Sequence, residues 1–291
     1  MRNNEKRLGV SQGKSLPEDA AAAATAAQPP QPQGLSFVVP TEFVELPSRG
    51  VFYPEGHPLH NKEDVEIKFM TAKEEDILTS ASLIKRGLAI DRLISSLLLD
   101  KTIDTESLTA GDRNAILIAA RISGYGKAYE TKVICPACGT GTAHVFDLED
   151  STMSRNCFDE EFLQEKQVTV EDNLFYVTLP KTKVRVGMKV LTGKDELYLM
   201  NVKKKRKADD TETTVTDQLS NIIASLNGET DPWNVRRFVE SMPISDSKFL
   251  RTLYRELSPN VDLTQSFGCF SCGHVSDMEV PFNTEFFWPK Q

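Results

Sequence analysis

The chain has 291 residues, 40% of them hydrophobic and 26% charged, with a formal net charge of −8, an ordinary soluble composition long enough for one large core or two smaller ones. No stretch approaches the roughly 20 uninterrupted apolar residues that cross a bilayer, and the first residues lack the apolar centre of a secretion signal, so the expected setting is cytoplasmic. The acidic balance argues against a general nucleic-acid coat, because phosphate binding draws on surplus Lys and Arg.

Residues 1 to 36 hold an alanine run, Ala20 to Ala24, and then Gln28-Pro-Pro-Gln-Pro-Gln-Gly34. That composition buries no core, and its prolines oppose regular structure, so a disordered tail is expected. Gly9-Val-Ser-Gln-Gly-Lys-Ser15 imitates a phosphate loop but has too few residues between its glycines and no strand before it.

Order is expected to begin near Ser36-Phe-Val-Val-Pro40, followed by Leu46-Pro-Ser-Arg-Gly-Val-Phe-Tyr-Pro54, where Pro47 and Gly50 bracket a turn, and by a strand over 64–69. Thr71 and Glu74 form a capping-box pattern, which predicts one helix through Ile77, Leu78, Ala81 and Ile84 to a stop at Gly87. Apolar spacing predicts a second helix over 90–99 and a third over 114–122. Two strands, 128–134 and 142–148, then flank Cys135-Pro-Ala-Cys138-Gly139.

After a polar stretch at 149–160, the segments 168–170, 174–179 and 183–190 alternate as paired strands, with Glu171-Asp-Asn173 as a turn. A helix over 194–203 leads into Lys203-Lys-Lys-Arg-Lys207, which Asp209, Asp210 and Glu212 answer at once, as in a solvated connection. Helices are expected over 214–226, 232–242 and 246–257, with Asp231 before Pro232 as N-cap and Ser245 capping the last. Strands 261–266 and 275–281 flank Cys269-Phe-Ser-Cys272-Gly273.

The two cysteine pairs carry the most chemistry. Two residues between cysteines let one tight turn aim both sulfurs at one ion, and the glycine that follows permits a positive φ. Four sulfurs fill a tetrahedral zinc shell with no position left for a reacting water, so Cys135, Cys138, Cys269 and Cys272 are expected to hold a structural zinc. Folding back the 130 residues between Cys138 and Cys269 costs roughly 4 kcal/mol in loop closure, well below the about 10 to 16 kcal/mol of a structural zinc. The alternatives are a redox dithiol, which usually opens a helix after a strand, disulfides, which need an oxidising compartment, and solitary thiols. His144 and His274 stand close enough to replace a cysteine but read as strand or turn residues, and Cys157 as a small, partly buried side chain.

The expected fold is α+β: two helical regions joined by β-hairpins that form a zinc-ribbon-like four-cysteine unit, with residues 37–150 and 151–291 intertwined behind the tail. Helices leading into a strand, a knuckle and another strand occur twice, a parallel of architecture without close sequence repetition. No HExxH motif, dinucleotide glycine pattern or nucleophile elbow occurs in the region expected to be ordered. His57 and His60 read as surface-turn residues, and Glu74-Glu75-Asp76 as acids favoured in a first helical turn. Trp233, Phe286, Phe287 and Trp288 are candidates for docking a partner, with core burial or C-terminal packing as the default reading.

The segments Leu46–Pro54, Phe69-Met-Thr-Ala-Lys-Glu-Glu-Asp76, Asp112-Arg113, Arg121-Ile-Ser-Gly-Tyr-Gly126 and Val133-Ile-Cys-Pro-Ala-Cys138, in this order and spacing, resemble the baseplate hub assembly family of T-even-like contractile-tailed bacteriophages. The resemblance is clearest from Phe43 to Asp150 and weaker to Pro281. It implies a non-enzymatic late viral protein that builds the tail baseplate, as a hub subunit or as a chaperone-like assembly factor. Its partners would then be other hub or tail proteins, with no small-molecule substrate and no membrane. Its place would be the host cytoplasm during assembly and the virion tail baseplate. Within that family the turn from Pro47 to Tyr53 is a candidate partner contact, or else an internal turn with Phe52 and Tyr53 packed inside. The reading from another class is a zinc-ribbon nucleic-acid-binding or transcription-associated protein that uses 203–207 on phosphate.

Overall fold

The computed structural model describes residues 38–205, 214–281 and 286–287. The expected tail, Arg206, Lys207 and Trp288 lie outside these residues. Within them the protein is a mixed α+β fold built from several small antiparallel sheets.

Strand β1 (Thr41–Glu45) pairs with β2 (Asp64–Lys68), Val44 opposite Val65. The loop between them turns inward at Gly50, whose φ of +70° suits glycine and whose Cβ, were there one, would overlap the Leu59 carbonyl. Tyr53 is buried, and the Phe52 ring packs 5.2 Å from Phe175. The internal-turn reading of this segment therefore holds.

The capping box at Thr71 and Glu74 forms as expected and opens α1 (Ala72–Thr79), but the single predicted helix is two. Ser80 is extended at ψ 104°, and α2 (Ala81–Arg86) follows, stopped by Gly87 in the left-handed region. Thr79 and Ser80 supply the reason: the Thr79 hydroxyl bonds back to the Glu75 carbonyl and the Ser80 and Ser82 hydroxyls pair, local bonds that compete with a continuous helix. Helix α3 (Ala89–Leu97) buries Leu93, Ile94 and Leu97 on the predicted face. Helix α4 (Ala110–Tyr125) begins well before Asn114, because the Thr109 side chain accepts from the Asp112 amide and supplies a cap.

Strands β3 (Ala128–Ile134) and β4 (Gly141–Asp147) form the first cysteine hairpin. The polar stretch beyond it holds β5 (Thr152–Ser154) and α5 (Glu160–Glu165), the latter capped by the Asp159 carboxylate. Strands β6 (Thr169–Glu171) and β7 (Leu174–Thr178) turn on Asp172 and Asn173, both at positive φ, and β8 (Arg185–Lys189) continues the sheet. Helix α6 (Gly193–Lys205) takes in Lys203 to Lys205, so the basic run starts inside a helix and not in a connection.

Helix α7 (Thr214–Ile222) stops short of the predicted Leu226, because Ile223 to Leu226 form β9 on the edge of β8. Gly187 makes the approach possible, since a Cβ there would stand 2.6 Å from the Ser225 hydroxyl. Helix α8 (Pro232–Ser241) has the expected Asp231 cap. Helix α9 (Ile244–Leu257) starts two residues early after Pro243, so Ser245 is not its cap. Strand β10 (Asn260–Asp262) pairs with β5, and β11 (Thr264–Gly268) with β12 (Val275–Glu279) makes the second cysteine hairpin.

Two apolar cores result. One gathers β1, β2, α3, α4 and both cysteine hairpins, and takes in Phe286 and Phe287; the other lies between the four-stranded sheet β6-β7-β8-β9 and helices α7, α8 and α9. Between Leu148 and Val261 the first core receives half-buried Met153 of β5 but none of the buried apolar residues described there. Cys157 belongs to the second core, away from the other four cysteines.

Candidate metal centre

Each cysteine pair sits on the turn of a hairpin, and the two turns are built alike. The Cys135 amide donates to the Thr140 carbonyl at 3.0 Å and the Gly139 amide to the Cys135 carbonyl at 2.9 Å. In the second turn the Cys269 amide donates to the His274 carbonyl at 2.8 Å and the Gly273 amide to the Cys269 carbonyl at 2.9 Å. Gly139 and Gly273 have φ of +70° and +72°, the backbone state that a residue with a Cβ rarely adopts.

The hairpins meet through their inner faces without sharing strand hydrogen bonds. His144 stacks edge-on against Phe146 at 4.5 Å and Phe267 at 5.3 Å. The Gln265 side chain bridges to the Asp147 backbone in both directions. This brings Cys135, Cys138, Cys269 and Cys272 together, their sulfurs all within 4.8 Å of one another. Cys135 Sγ lies 3.7 Å from Cys272 Sγ, and Cys138 Sγ 3.8 Å from Cys269 Sγ. Zinc bonded tetrahedrally to sulfur at about 2.3 Å requires sulfurs about 3.8 Å apart, so the donor set and its spacing fit that ion.

The electrostatics of the cluster suit a cation. Hydrogen bonds from the Thr140 hydroxyl and amide draw the Cys138 thiol down to about 6, and the Cys272 amide lowers Cys269. At Cys272 the His274 amide pulls downward, but the crowd of neighbouring sulfurs wins and pushes the thiol up to about 12. Four sulfurs so close cannot all hold negative charge in the absence of a cation, and a divalent ion removes that conflict. Cys135 and Cys269 are buried while Cys138 and Cys272 face solvent.

The other sequence candidates fall elsewhere. His144 is committed to the aromatic stack between hairpins, and His274 enters the turn through its carbonyl. His57 pairs with the Ser107 hydroxyl and accepts from the Leu59 amide, and His60 pairs with the Tyr53 carbonyl, so both brace the loop. Glu74 is a buried clasp, bonded to Lys68, Thr71 and Ser96. Phe286 and Phe287 are buried as assigned, but Trp233 is 67% exposed, on the rim of an open cleft of about 540 Å³ between α7 and α8.

One site that sequence reasoning missed is the buried Asp112 carboxylate. It accepts from the Ser48 amide, the Ser48 hydroxyl and, at 2.6 Å, the Tyr53 hydroxyl. Burial first, and then the Asp112 charge, drive the Tyr53 phenol far above its ordinary range. No spacing rule links residues 48, 53 and 112; both segments belong to those that carry the resemblance.

The architecture thus defines an α+β protein whose two cysteine hairpins converge on a metal-type cluster. Its residues 55–288 match the T4 bacteriophage base plate protein family, and the chain belongs to that family. Searches of curated proteins and of solved structures give no match.

Proposed function

We propose that this protein is a non-enzymatic component of the tail baseplate, acting at the central hub as a subunit or assembly factor, with Cys135, Cys138, Cys269 and Cys272 as ligands of one structural zinc. Its place is the host cytoplasm during assembly and, if it is a subunit, the baseplate of the finished tail. The single observation that carries the reading is the family match over residues 55–288. The cluster supports it: four sulfurs within 4.8 Å of one another would fill the shell of one zinc and leave no coordination position for substrate, so the metal would tie segments together and do no chemistry. When bound, the ion would join the hairpin that precedes Leu148 to the one that follows Val261. The nucleic-acid reading has less behind it, since the cysteine turns carry no Lys or Arg and the chain has a formal net charge of −8.

The test is affinity capture of the tagged full-length protein from infected cells, with mass spectrometry of free complexes and of purified particles. Recovery with hub proteins supports the reading, and presence or absence in particles separates a subunit from an assembly factor. Recovery only with nucleic acid, lost as salt rises, would refute it.

A further inference from the structure

Two aromatic side chains stand open on the second half of the fold, Tyr198 of α6 at 59% and Trp233 in the first turn of α8 at 67%. Both line the cleft of about 540 Å³ between α7 and α8, to which Ile223, Ala224, Pro232 and Val235 give an apolar lining. A second cleft, of about 520 Å³, shares Lys189, Tyr198 and Asn221 with the first and runs on to Thr192 and Lys194 at the start of α6. Each is within the range of about 300 to 1,000 Å³ that ligand sites occupy. Joined through three shared residues, they make one elongated groove, a shape that suits an extended chain better than a compact molecule.

The polar groups of the groove narrow what the chain is. Its cations are already answered: Lys189 Nζ lies 2.6 Å from Asp195, and Arg236 lies 3.0 Å from Glu240 and 3.5 Å from Asp217. A phosphate or an acidic peptide would have to compete with those carboxylates. What lacks a partner among the described residues is the Trp233 indole N–H, the Tyr198 hydroxyl and the Ser220 Oγ, the last hidden from solvent. The indole only donates and the hydroxyls are able to donate, so the groups left over call for an uncharged ligand rich in acceptors. A proline-rich segment is that ligand: proline has no N–H, its extended helix leaves every carbonyl without an internal partner, and aromatic grooves take up its rings. The chain's own sequence holds one example, Pro29-Pro-Gln-Pro32, with P-x-x-P spacing in a stretch without a charged residue from Ala20 to Thr41. We propose that the groove between Tyr198 and Trp233 is a binding site for an uncharged proline-rich segment, whose prolines pack on the two aromatics while its carbonyls accept from the indole N–H and the hydroxyls.

The baseplate reading stands whichever way this site is decided, because it rests on the family match. The test measures the fluorescence anisotropy of a labelled synthetic peptide of the sequence Gln28–Gly34 as full-length protein is added. The protein carries Pro29→Ala, Pro30→Ala and Pro32→Ala, so that its own prolines do not compete with the probe. Saturable binding is expected, little changed by salt. Adding Trp233→Ala or Tyr198→Ala should weaken it about tenfold or more, as for an interface aromatic, with the melting temperature kept because both side chains are exposed. A peptide with alanine at its three proline positions should not bind. No binding of the proline peptide, equal binding of the alanine peptide, equal affinity in W233A and Y198A, or binding that disappears as salt rises would each overturn the site. Should W233A melt lower, W233F together with Y198A provides the same comparison.

Discussion

The Tyr53 hydroxyl donates a 2.6 Å hydrogen bond to the fully buried carboxylate of Asp112, joining the loop after β1 to the first turn of α4. Ser48 completes the arrangement with its amide and its hydroxyl, and the Tyr53 oxygen accepts from the Thr109 amide. A buried carboxylate with three donors is stable only while all three remain. Asp112→Ala is therefore expected to cost about 3 kcal/mol or more, and Tyr53→Phe about 1 to 2 kcal/mol, in urea unfolding. Equal midpoints for wild type and D112A would show that this network is not a fastening of the fold.

Glu74 makes a prediction in pH. Burial raises its carboxyl, but hydrogen bonds from Lys68, Ser96 and Thr71 together prevail and hold it down at about 2, against 4.5 for the free group. A carboxyl depressed in the folded state contributes stability that is complete above its unfolded value and is lost as pH falls through the folded one. Wild-type stability should therefore decline between about pH 4.5 and 2, and Glu74→Gln should flatten that part of the profile while costing about 1 to 2 kcal/mol at neutral pH. An unchanged acid limb in E74Q would assign the acid sensitivity to other groups.

Gly111 tests the return of the chain. It lies in the first turn of α4, and a Cβ there would collide with the Pro259 carbonyl just before β10. Helix propensity alone would make Gly111→Ala mildly stabilising, by up to about 1 kcal/mol. Overpacking against a backbone carbonyl should reverse the sign and cost about 1 to 3 kcal/mol. A stabilised G111A would mean that α4 and the segment before β10 are not in this close contact.

The resemblance, the helix-start signals and the cysteine spacing carried most of what was legible before the structure. The Thr71 box, the Asp231 cap and the alternation of β3 and β7 all depend on neighbours within a few residues, which is what a sequence pattern encodes. The break at Ser80 and the early start of α4 rest on short-range hydroxyl bonds that apolar spacing does not show; the other misses depend on distant partners. Ile222 and Ile223 continue a helical apolar pattern, and only β8, with Gly187 opposite Ser225, turns the following residues into a strand. The Ser48–Tyr53–Asp112 network spans 64 residues and left no local trace. The cluster was readable because C-x-x-C-G fixes each half by itself; the packing of His144 and Phe267 that brings the halves together was not.

The cysteines separate by role. Cys157 is buried in the second core, where burial pushes its thiol up to about 12, far from the cluster. Cys157→Ala should keep full metal content at a cost of about 1 kcal/mol. Cys135→Ser and Cys269→Ser should each lose zinc and misfold, with failed tail assembly. A soluble, fully assembling C269S would remove the metal from the account of the fold.

The most direct measurement is metal content together with thermal melting of the full-length protein before and after complete chelation. The account predicts one zinc per chain and a midpoint lowered by about 10 °C or more when it is removed, recovered on adding zinc back. A chain purified without zinc, or one whose melting is the same once every ion is gone, would contradict it.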